Sequence, residues 1–302
     1  GQYLLDEMKR DPKLVAVTSA VPMALGFGPE QRRQAGPQFV DVGIAEGHAM
    51  TFSAGMAKEG MIPFCNIYSA FSQRAYDNII HDALCVNGNP AVINVMGCSI
   101  FGMNDFTHIC FFDIAMLSHI PNLVYLAPTT YEELIAMESW AIKQDKYSVA
   151  IRVPVGKVYH SSKKYDADYS SLNRFKVTKR GEQVAVIAAG NFYQKGECVV
   201  EALRKDGIKA TLINPRYLTG IDEALLEKLK QDHTVVATLE DGTLDGGFGE
   251  RITRFYGPSS MRVLNFGVKK QLYDRYDVDE LLRENHLTNE QIVEDIKHLL
   301  AS

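Results

Sequence analysis

The stretch FVDVGIAEGHAMTFSAGMA, residues 39–57, begins as a buried strand and then places Glu46 and His48 where apolar residues would be expected. From His48 to Lys58 the residues are mostly small and apolar, a pattern typical of a helix packed closely on a sheet. A carboxylate in an apolar site is costly unless it has a partner. Ligands of open parallel sheets bind beyond the carboxyl ends of the strands, so Glu46 is a candidate ligand contact, with a helix cap or a surface salt bridge as the alternative.

Apolar strands alternate with helical stretches on both sides of this segment. The predicted strands are 13–21, 38–44, 61–68, 89–97, 122–128, 147–154, 183–190, 209–217, 233–241 and 260–268. The predicted helices are 2–10, 48–58, 71–86, 130–144, 194–206, 222–231, 247–257 and 289–300. Continuous apolar strands that alternate with helices favour a parallel sheet covered on both faces.

The helix at 130–144 carries the clearest start signal, because Thr129 and Thr130 precede Glu132 and Glu133 in the manner of an N-terminal cap. A polar stretch at 157–182 interrupts the alternation and is interpreted as a linker. We therefore predict an α/β fold of two doubly wound domains, a parallel-sheet domain over 1–156 and a smaller α/β domain over 183–302.

Composition narrows the class of protein. The chain has 302 residues, 46% hydrophobic and 23% charged, with a formal net charge of −5, so no basic surplus favours binding to nucleic acid or to a membrane surface. No signal peptide and no long apolar run is recognisable. The five cysteines (Cys65, Cys85, Cys98, Cys110 and Cys198) follow no metal-binding spacing and are interpreted as reduced, buried thiols of a cytoplasmic protein.

Two further segments bring chemistry to neighbouring strand ends. NIYSAFSQRAYDNIIHD, residues 66–82, offers the rings of Tyr68 and Phe71 to a planar ligand and the guanidinium of Arg74 to an anion. GMNDFTHICFFD, residues 102–113, adds Asp105 and His108 after a glycine-containing loop. Core packing for the rings, a salt bridge for the arginine and a structural role for the histidine remain the alternatives for each residue taken alone.

Together these segments resemble a known family. DVGIAEGHAMTFSAGMA, YSAFSQRAYDNIIHD, NDFTH and LVYLAPTTYEEL are similar to the pyrimidine-binding domain of 1-deoxy-D-xylulose-5-phosphate synthase and its transketolase relatives. VIAAGN and VVATLEDGTLDGGFGE resemble the C-terminal domain of that family. The resemblance runs from about residue 3 to the end of the chain. It implies a transferase that depends on thiamine diphosphate and makes an isoprenoid precursor.

The resemblance also implies roles for the cofactor-facing residues. Glu46 is expected to bond a ring nitrogen of the aminopyrimidine of thiamine diphosphate and to favour the tautomer that deprotonates the thiazolium carbon. Phe71 is expected to pack on the aminopyrimidine, with Tyr68 and Arg74 beside it. The carboxylate would then be kept in the core because its partner is the cofactor.

Three residues are expected to face substrate. His108 matches a histidine that contacts substrate oxygens and shuttles protons, and Asp105 and Arg152 are expected substrate contacts with it. The synthase carries arginines where this chain has Gly97 or Cys98 and where it has Val155. Both missing arginines are expected to bind the phosphate of the acceptor aldehyde, so the acceptor is left open.

The diphosphate half of the cofactor site is not recognisable. The family holds the diphosphate and Mg²⁺ with a GDG motif that has an asparagine downstream, and this chain contains no GDG. The glycines of LEDGTLDGG, residues 239–247, are interpreted as a turn before a helix. We expect an N-terminal pyrophosphate-binding half, either a separate subunit or the missing part of a longer chain, together with self-association as a dimer.

Several functions stay open at this point. The chain resembles the synthase type with a pyruvate donor, but it is also compatible with the C-terminal subunit of a split transketolase that uses ketose donors. The beta subunit of a 2-oxoacid dehydrogenase shares the two-domain plan. A noncatalytic assembly module is the alternative outside the enzymes.

Overall fold

The first half of the chain folds around a fully parallel sheet. The structure is a computed structural model that describes residues 1–86 and 91–302. Six strands pair in the order β2-β1-β3-β4-β6-β5. They are β1 Leu14–Thr18, β2 Phe39–Asp41, β3 Ile62–Tyr68, β4 Val92–Cys98, β5 Leu123–Leu126 and β6 Ser148–Pro154. Because all pairs are parallel, the carboxyl ends of β1, β3 and β4 meet at one edge.

Helices cover both faces of this sheet. The α-helices are α1 Gln2–Arg10, α2 Pro29–Ala35, α3 Glu46–Lys58, α4 Tyr76–Asn78, α5 Asp113–Leu117 and α6 Tyr131–Lys143. Short 3-10 helices span Gly36–Gln38 and Ser69–Ala75, and a π-helix spans Ile79–Val86. The Thr130 side chain accepts a hydrogen bond from the Glu133 N–H, which confirms the cap predicted for α6.

The second half forms a five-stranded sheet of order β11-β10-β8-β9-β7. Its strands are β7 Lys176–Lys179, β8 Gln183–Ala188, β9 Thr211–Asn214, β10 His233–Thr243 and β11 Arg262–Val268. The helices are a 3-10 turn Gly190–Phe192, α7 Tyr193–Lys205, α8 Glu223–Leu229, α9 Phe248–Tyr256, α10 Val278–Glu284 and α11 Asn289–Ala301. Two α/β sheets with interleaved helices confirm the predicted fold class.

Two features depart from the sequence-based expectations. Strand β7 lies within the segment interpreted as a linker and pairs antiparallel with β9 at the sheet edge. Its lysines are exposed, so it lacks the apolar run by which the other strands were recognised. Residues 69–86 were expected to hold one helix from 71, but 3-10, α and π turns follow one another there. Residues 89 and 90 of the predicted fourth strand lie outside the described residues.

The two domains share hydrogen bonds and core. The Ala127 N–H donates to the Arg216 carbonyl at 2.8 Å, and the Leu218 N–H donates to the Tyr125 carbonyl at 2.8 Å. A hydrophobic cluster runs from Val15 and Ile93 of the first sheet to residues such as Phe248 of the second domain. The two domains are therefore packed directly against each other.

The expectation that the cysteines are reduced, buried thiols is confirmed for three of them. Cys65, Cys98 and Cys110 are free and buried, whereas the free thiol of Cys198 is exposed on α7. The Cys85 side chain lies outside the described part of the chain. Among the described residues, no helix combines the length and the apolar character needed to cross a membrane.

Candidate active site

Glu46 is the first residue of α3 and is almost completely buried, with a relative exposure of 3%. The sequence suggested that Glu46 ends a strand. In the structure it begins a helix instead, because β2 stops at Asp41 and residues 42–45 turn the chain. Within the described residues, no group donates a hydrogen bond to its carboxylate. The nearest charge is Arg74, whose Nη1 lies 3.9 Å from Glu46 Oε2 and whose side chain is 61% exposed. The carboxylate is thus buried and faces a cation beyond hydrogen-bond distance.

Three rings cluster around Phe71, next to the Arg74 that pairs with this carboxylate. Tyr68 ends β3, Phe71 lies in the following 3-10 helix, and His108 lies in the loop after β4. The Phe71 centroid is 5.6 Å from Tyr68 and 5.3 Å from His108, and the Phe71 and His108 rings meet edge to face. The Arg74 guanidinium lies 5.8 Å from the Phe71 centroid. Sequence reasoning placed these residues at neighbouring strand ends, and the structure brings them into one cluster.

Tyr68 keeps its proton at neutral pH. Burial raises the pKa of the Tyr68 phenol to about 12, and the nearby Cys110 adds to the effect. A neutral phenol can donate a hydrogen bond to a ligand oxygen or nitrogen. The cluster therefore offers one hydroxyl donor in addition to its ring faces.

Asp105 and His108 form a hydrogen-bonded pair. His108 Nδ1 lies 3.1 Å from Asp105 Oδ1, and the side chain of His108 is 30% exposed. Hydrogen bonds from Thr107 and then from His108 lower the pKa of Asp105 to about 2, so the carboxylate stays ionised. An ionised acceptor at Nδ1 keeps the proton there and leaves Nε2 to a ligand. Within the described residues, Nε2 has no hydrogen-bond partner.

Arg152 lies apart from this cluster, between two buried carboxylates, and its predicted contact with substrate stays a prediction. It is 2% exposed. Its Nε lies 2.7 Å from Asp113 Oδ2, and its Nη1 lies 2.5 Å from Asp241 Oδ1. The third nitrogen, Nη2, donates to Asp113 and to the Asp241 carbonyl. Because every nitrogen of the guanidinium is engaged, Arg152 acts here as a buried link between two carboxylates.

The structural roles of two residues of the site escaped sequence reasoning, which had named Gly97 only as the position of a missing arginine. Gly97 has a φ of 76°, and a Cβ built on it would lie 2.5 Å from the Tyr68 ring, so only glycine leaves the ring its place. Thr107 Oγ1 lies 2.8 Å from His108 Nδ1 and also bonds Asp105. The positive φ of Gly97 has no signature in the sequence. Thr107, between Asp105 and His108, could have been noticed as a local hydroxyl partner.

A metal site is not evident in the same region. Across residues 1–86 and 91–302, no group of three or more His, Cys, Asp or Glu side chains is arranged to hold a metal ion. The cluster instead combines a buried carboxylate, ring faces, a phenol and an imidazole. This set suits a planar, nitrogen-containing ligand next to a group that exchanges protons.

The family models match both halves of the chain. The model for the transketolase pyrimidine binding domain matches residues 1–159, and the model for the transketolase C-terminal domain matches residues 173–292. Among curated relatives, 1-deoxy-D-xylulose-5-phosphate synthase of Alkaliphilus oremlandii is 35% identical in an alignment 302 residues long that covers 98% of this chain and 47% of the relative. The synthase of Crocosphaera subtropica is 36% identical in an alignment 295 residues long that covers 96% of this chain and 46% of the relative.

The chain therefore spans about half the length of the curated relatives it matches. A solved structure described as "Split gene transketolase, inactive beta4 tetramer" superposes with a TM-score of 0.81 at 22% identity, over 99% of this chain and 96% of that one. This likeness shows the fold. With one family model matched over more than half of the chain and the second over most of the remainder, the chain belongs to the transketolase family.

Proposed function

We propose that this chain supplies the pyrimidine-binding half of a thiamine diphosphate site in a transferase. The enzyme would move a two-carbon acyl or ketol unit to an aldehyde acceptor, in a reaction resembling that of 1-deoxy-D-xylulose-5-phosphate synthase. Residues 1–156 would form the pyrimidine-binding domain, 157–182 the linker, whose strand β7 joins the second sheet, and 183–302 the C-terminal domain. The protein would work in the cytoplasm.

The observation that carries the proposal is the buried carboxylate of Glu46, which accepts no hydrogen bond within the described residues. A buried carboxylate without a hydrogen bond is costly and is retained where it serves a ligand. Glu46 is 3% exposed, and in the part of the chain that the structure describes its one ion-pair partner is Arg74, at 3.9 Å. A ring nitrogen of an aminopyrimidine is a partner of the right size and polarity. The residues present therefore fit this half of the cofactor.

The other members of the cluster support the same ligand. The Phe71 ring offers a face to a planar heterocycle, and Arg74 over that ring limits where the heterocycle can lie. Tyr68, kept protonated, offers a hydroxyl beside it. When bound, thiamine diphosphate supplies the carbanion chemistry, and these residues orient it and exclude water.

His108 is the residue placed to move a proton. Asp105 holds Nδ1, so Nε2 is free to give a proton to a substrate oxygen or to take one from it. The Phe71 edge contact fixes the imidazole plane. We expect His108→Gln to lower kcat about 100-fold or more in a complete enzyme.

The diphosphate and Mg²⁺ are assigned to an N-terminal half, because the chain spans about half the length of its curated relatives. Exposed apolar side chains lie next to the site: Ile44 is 78% exposed, Phe106 64% and Phe52 36%. Apolar exposure of this extent beside a site suits a protein partner. We propose that the N-terminal half docks there and that the chain also self-associates as a dimer.

The test combines this chain with the N-terminal half of the Alkaliphilus oremlandii synthase. Consumption of pyruvate with glyceraldehyde 3-phosphate is measured with and without thiamine diphosphate and Mg²⁺. We expect turnover in the combined sample alone, and at least about a 100-fold loss with Glu46→Ala. Glu59→Ala, at the exposed end of α3, is the matched control and should keep full activity. Equal activity of the two variants would contradict the proposal.

Other outcomes identify the alternatives. If the combined sample binds the cofactor but does not consume pyruvate, a ketose donor is tested next, because a split transketolase would use one. The similarity to a structure described as a split gene transketolase is the reason to include this donor. Acyl transfer to a lipoyl carrier domain would indicate the beta subunit of a 2-oxoacid dehydrogenase. A complex whose activity is insensitive to Glu46→Ala would contain this chain as a noncatalytic assembly module.

A further inference from the structure

The loop that carries His108 spans residues 99–110 and is closed at its base by its own domain. The Ser99 N–H donates to the Cys110 carbonyl at 3.2 Å, and the Ser69 hydroxyl donates to the same carbonyl at 3.2 Å. These bonds fix where the loop leaves and re-enters the sheet edge. They do not reach the middle of the loop.

The middle of the loop is held by the C-terminal domain. Asn104 Nδ2 donates to the Tyr276 carbonyl at 2.7 Å, and the Asn104 carbonyl accepts from the Arg275 N–H at 2.7 Å. The Phe106 N–H donates to Asp274 Oδ1 at 3.2 Å. The Tyr276 hydroxyl donates to the Ile100 carbonyl at 2.9 Å. Within the described chain, every hydrogen bond that residues 100–106 make outside the loop goes to residues 274–276.

Ring packing runs alongside these bonds. Phe111, just after the loop, lies 5.8 Å from the Tyr273 centroid and 6.2 Å from the Tyr276 centroid. Phe101 lies 6.4 Å from Phe192 of the C-terminal domain. The Phe111 contacts therefore involve the same C-terminal segment as the polar contacts, and the Phe101 contact adds a second part of the C-terminal domain.

The middle of the loop, residues 101–108, has little apolar anchorage of its own, whereas Ile100 and Ile109 at its two ends are buried. Met103 is 50% exposed and Phe106 is 64% exposed, so their side chains contribute little burial. A segment without a buried side chain is ordered only if other contacts offset its conformational entropy. Arg275, whose N–H donates to Asn104, has a φ of 49°, a region uncommon for a residue other than glycine.

We propose that residues 274–276 of the C-terminal domain position the His108 loop, with Asn104 and Asp274 as the positioning residues. Of the proposed proton-transfer pair, Asp105 lies between the two anchored residues, Asn104 and Phe106, and His108 follows Phe106 by two positions. The catalytic role of His108 rests on the proposed function, but the contact between its loop and residues 274–276 does not depend on it. The C-terminal domain thereby acquires a role in the active site.

The first test measures how often the loop opens, in the full chain without partner or cofactor. Chymotrypsin cleaves after Phe101 and Phe106, and fragment masses identify each cut. We expect Asn104→Ala and Asp274→Ala each to raise the rate at these two sites about 5-fold, since each removes one hydrogen bond. Cleavage after Tyr131, which is 46% exposed and outside the loop, should stay constant and exclude general unfolding.

The matched control is Asp279→Ala, which removes an exposed carboxylate from the same domain without touching the loop. Tyr276→Phe removes only the bond to Ile100 and should accelerate cleavage at Phe101 more than at Phe106. Cleavage rates of Asn104→Ala and Asp274→Ala equal to that of Asp279→Ala would overturn the proposal.

A second readout follows His108 directly. In a chain labelled with ¹³C-histidine, the resonance missing from His108→Gln identifies the residue. Asn104→Ala and Asp274→Ala are expected to shift or broaden this resonance, whereas Asp279→Ala leaves it in place. An unchanged resonance in the first two variants would overturn the positioning role. Neither measurement needs turnover, so failure of the proposed function and failure of this inference are distinguishable.

Discussion

Arg152 on β6 joins Asp113 of the first domain to Asp241 of the second, with its Nε 2.7 Å from Asp113 Oδ2 and its Nη1 2.5 Å from Asp241 Oδ1. All three side chains are buried. The two carboxylates come from different domains and share one guanidinium. These two salt bridges therefore couple the stability of one domain to that of the other.

Removal of this guanidinium should destabilise the protein strongly. Arg152→Met leaves two buried carboxylates without their cation, and we expect a loss of about 3 to 5 kcal/mol in the free energy of unfolding. Urea denaturation followed by circular dichroism measures it. Arg204→Ala, which breaks the exposed pair with Glu201, should leave the unfolding midpoint unchanged. Equal midpoints for both variants would show that the buried network carries no stability.

Glu46→Gln should be neutral or stabilising, although it abolishes the proposed function. The carboxylate is buried without a hydrogen bond in the described structure, so an uncharged amide is cheaper to bury, by about 0 to 2 kcal/mol. Glu133→Gln is the matched comparison, because the buried Glu133 accepts hydrogen bonds from Thr129 and Asn214. Urea denaturation should show a loss of about 1 to 3 kcal/mol for that variant. A large loss with Glu46→Gln would contradict the assignment of Glu46 to a ligand.

Gly97→Ala should displace Tyr68. The added methyl would lie 2.5 Å from the Tyr68 ring, and the alanine would also have to keep a φ of 76°. Gly43 has a φ of 73° and nothing within 4 Å, so Gly43→Ala isolates the backbone cost of about 1 to 2 kcal/mol. We expect Gly97→Ala to cost about 1 to 3 kcal/mol more than this control in urea denaturation. Equal losses would mean that Tyr68 moves aside freely.

Stability should fall as the pH rises through 7, in part because of Glu240. Burial raises the pKa of this carboxyl from 4.5 to about 7, against the opposing hydrogen bonds from Gly249 and Phe248. The folded state keeps a proton that the unfolded state has lost, so the stabilisation is complete below pH 4.5 and disappears above pH 7.

The measurement is the free energy of unfolding between pH 5 and pH 8 for the wild type and for Glu240→Gln. As the pH rises towards 7, the free energy of unfolding of the wild type should fall by up to about 1.4 kcal/mol per pH unit more than that of the variant. Burial also raises the pKa of Glu138 to about 7, so only the difference between the two curves reports on Glu240. If the free energies of unfolding of the two proteins changed in parallel with pH, Glu240 would not be the group with the raised pKa.

Much of the site was predictable because its residues follow strand ends along the chain. Tyr68 ends β3, and Phe71 and Arg74 follow within six residues, while His108 follows β4. In a parallel sheet such positions meet at one edge, so the alternation of strands and helices was enough to bring them together. The Thr130 cap of α6 was equally local and was found for the same reason.

The sequence by itself determined the two α/β units, the family resemblance and the gathering of these side chains, because apolar periodicity and capping act within a few residues. Only the tertiary structure decided the partners of Arg152, which lie 39 and 89 positions away, and the contact of Phe106 with Asp274 across 168 positions. It also decided that β7 pairs at a sheet edge. Such contacts depend on which surfaces the folded domains present to each other, and no local pattern of residue types encodes that.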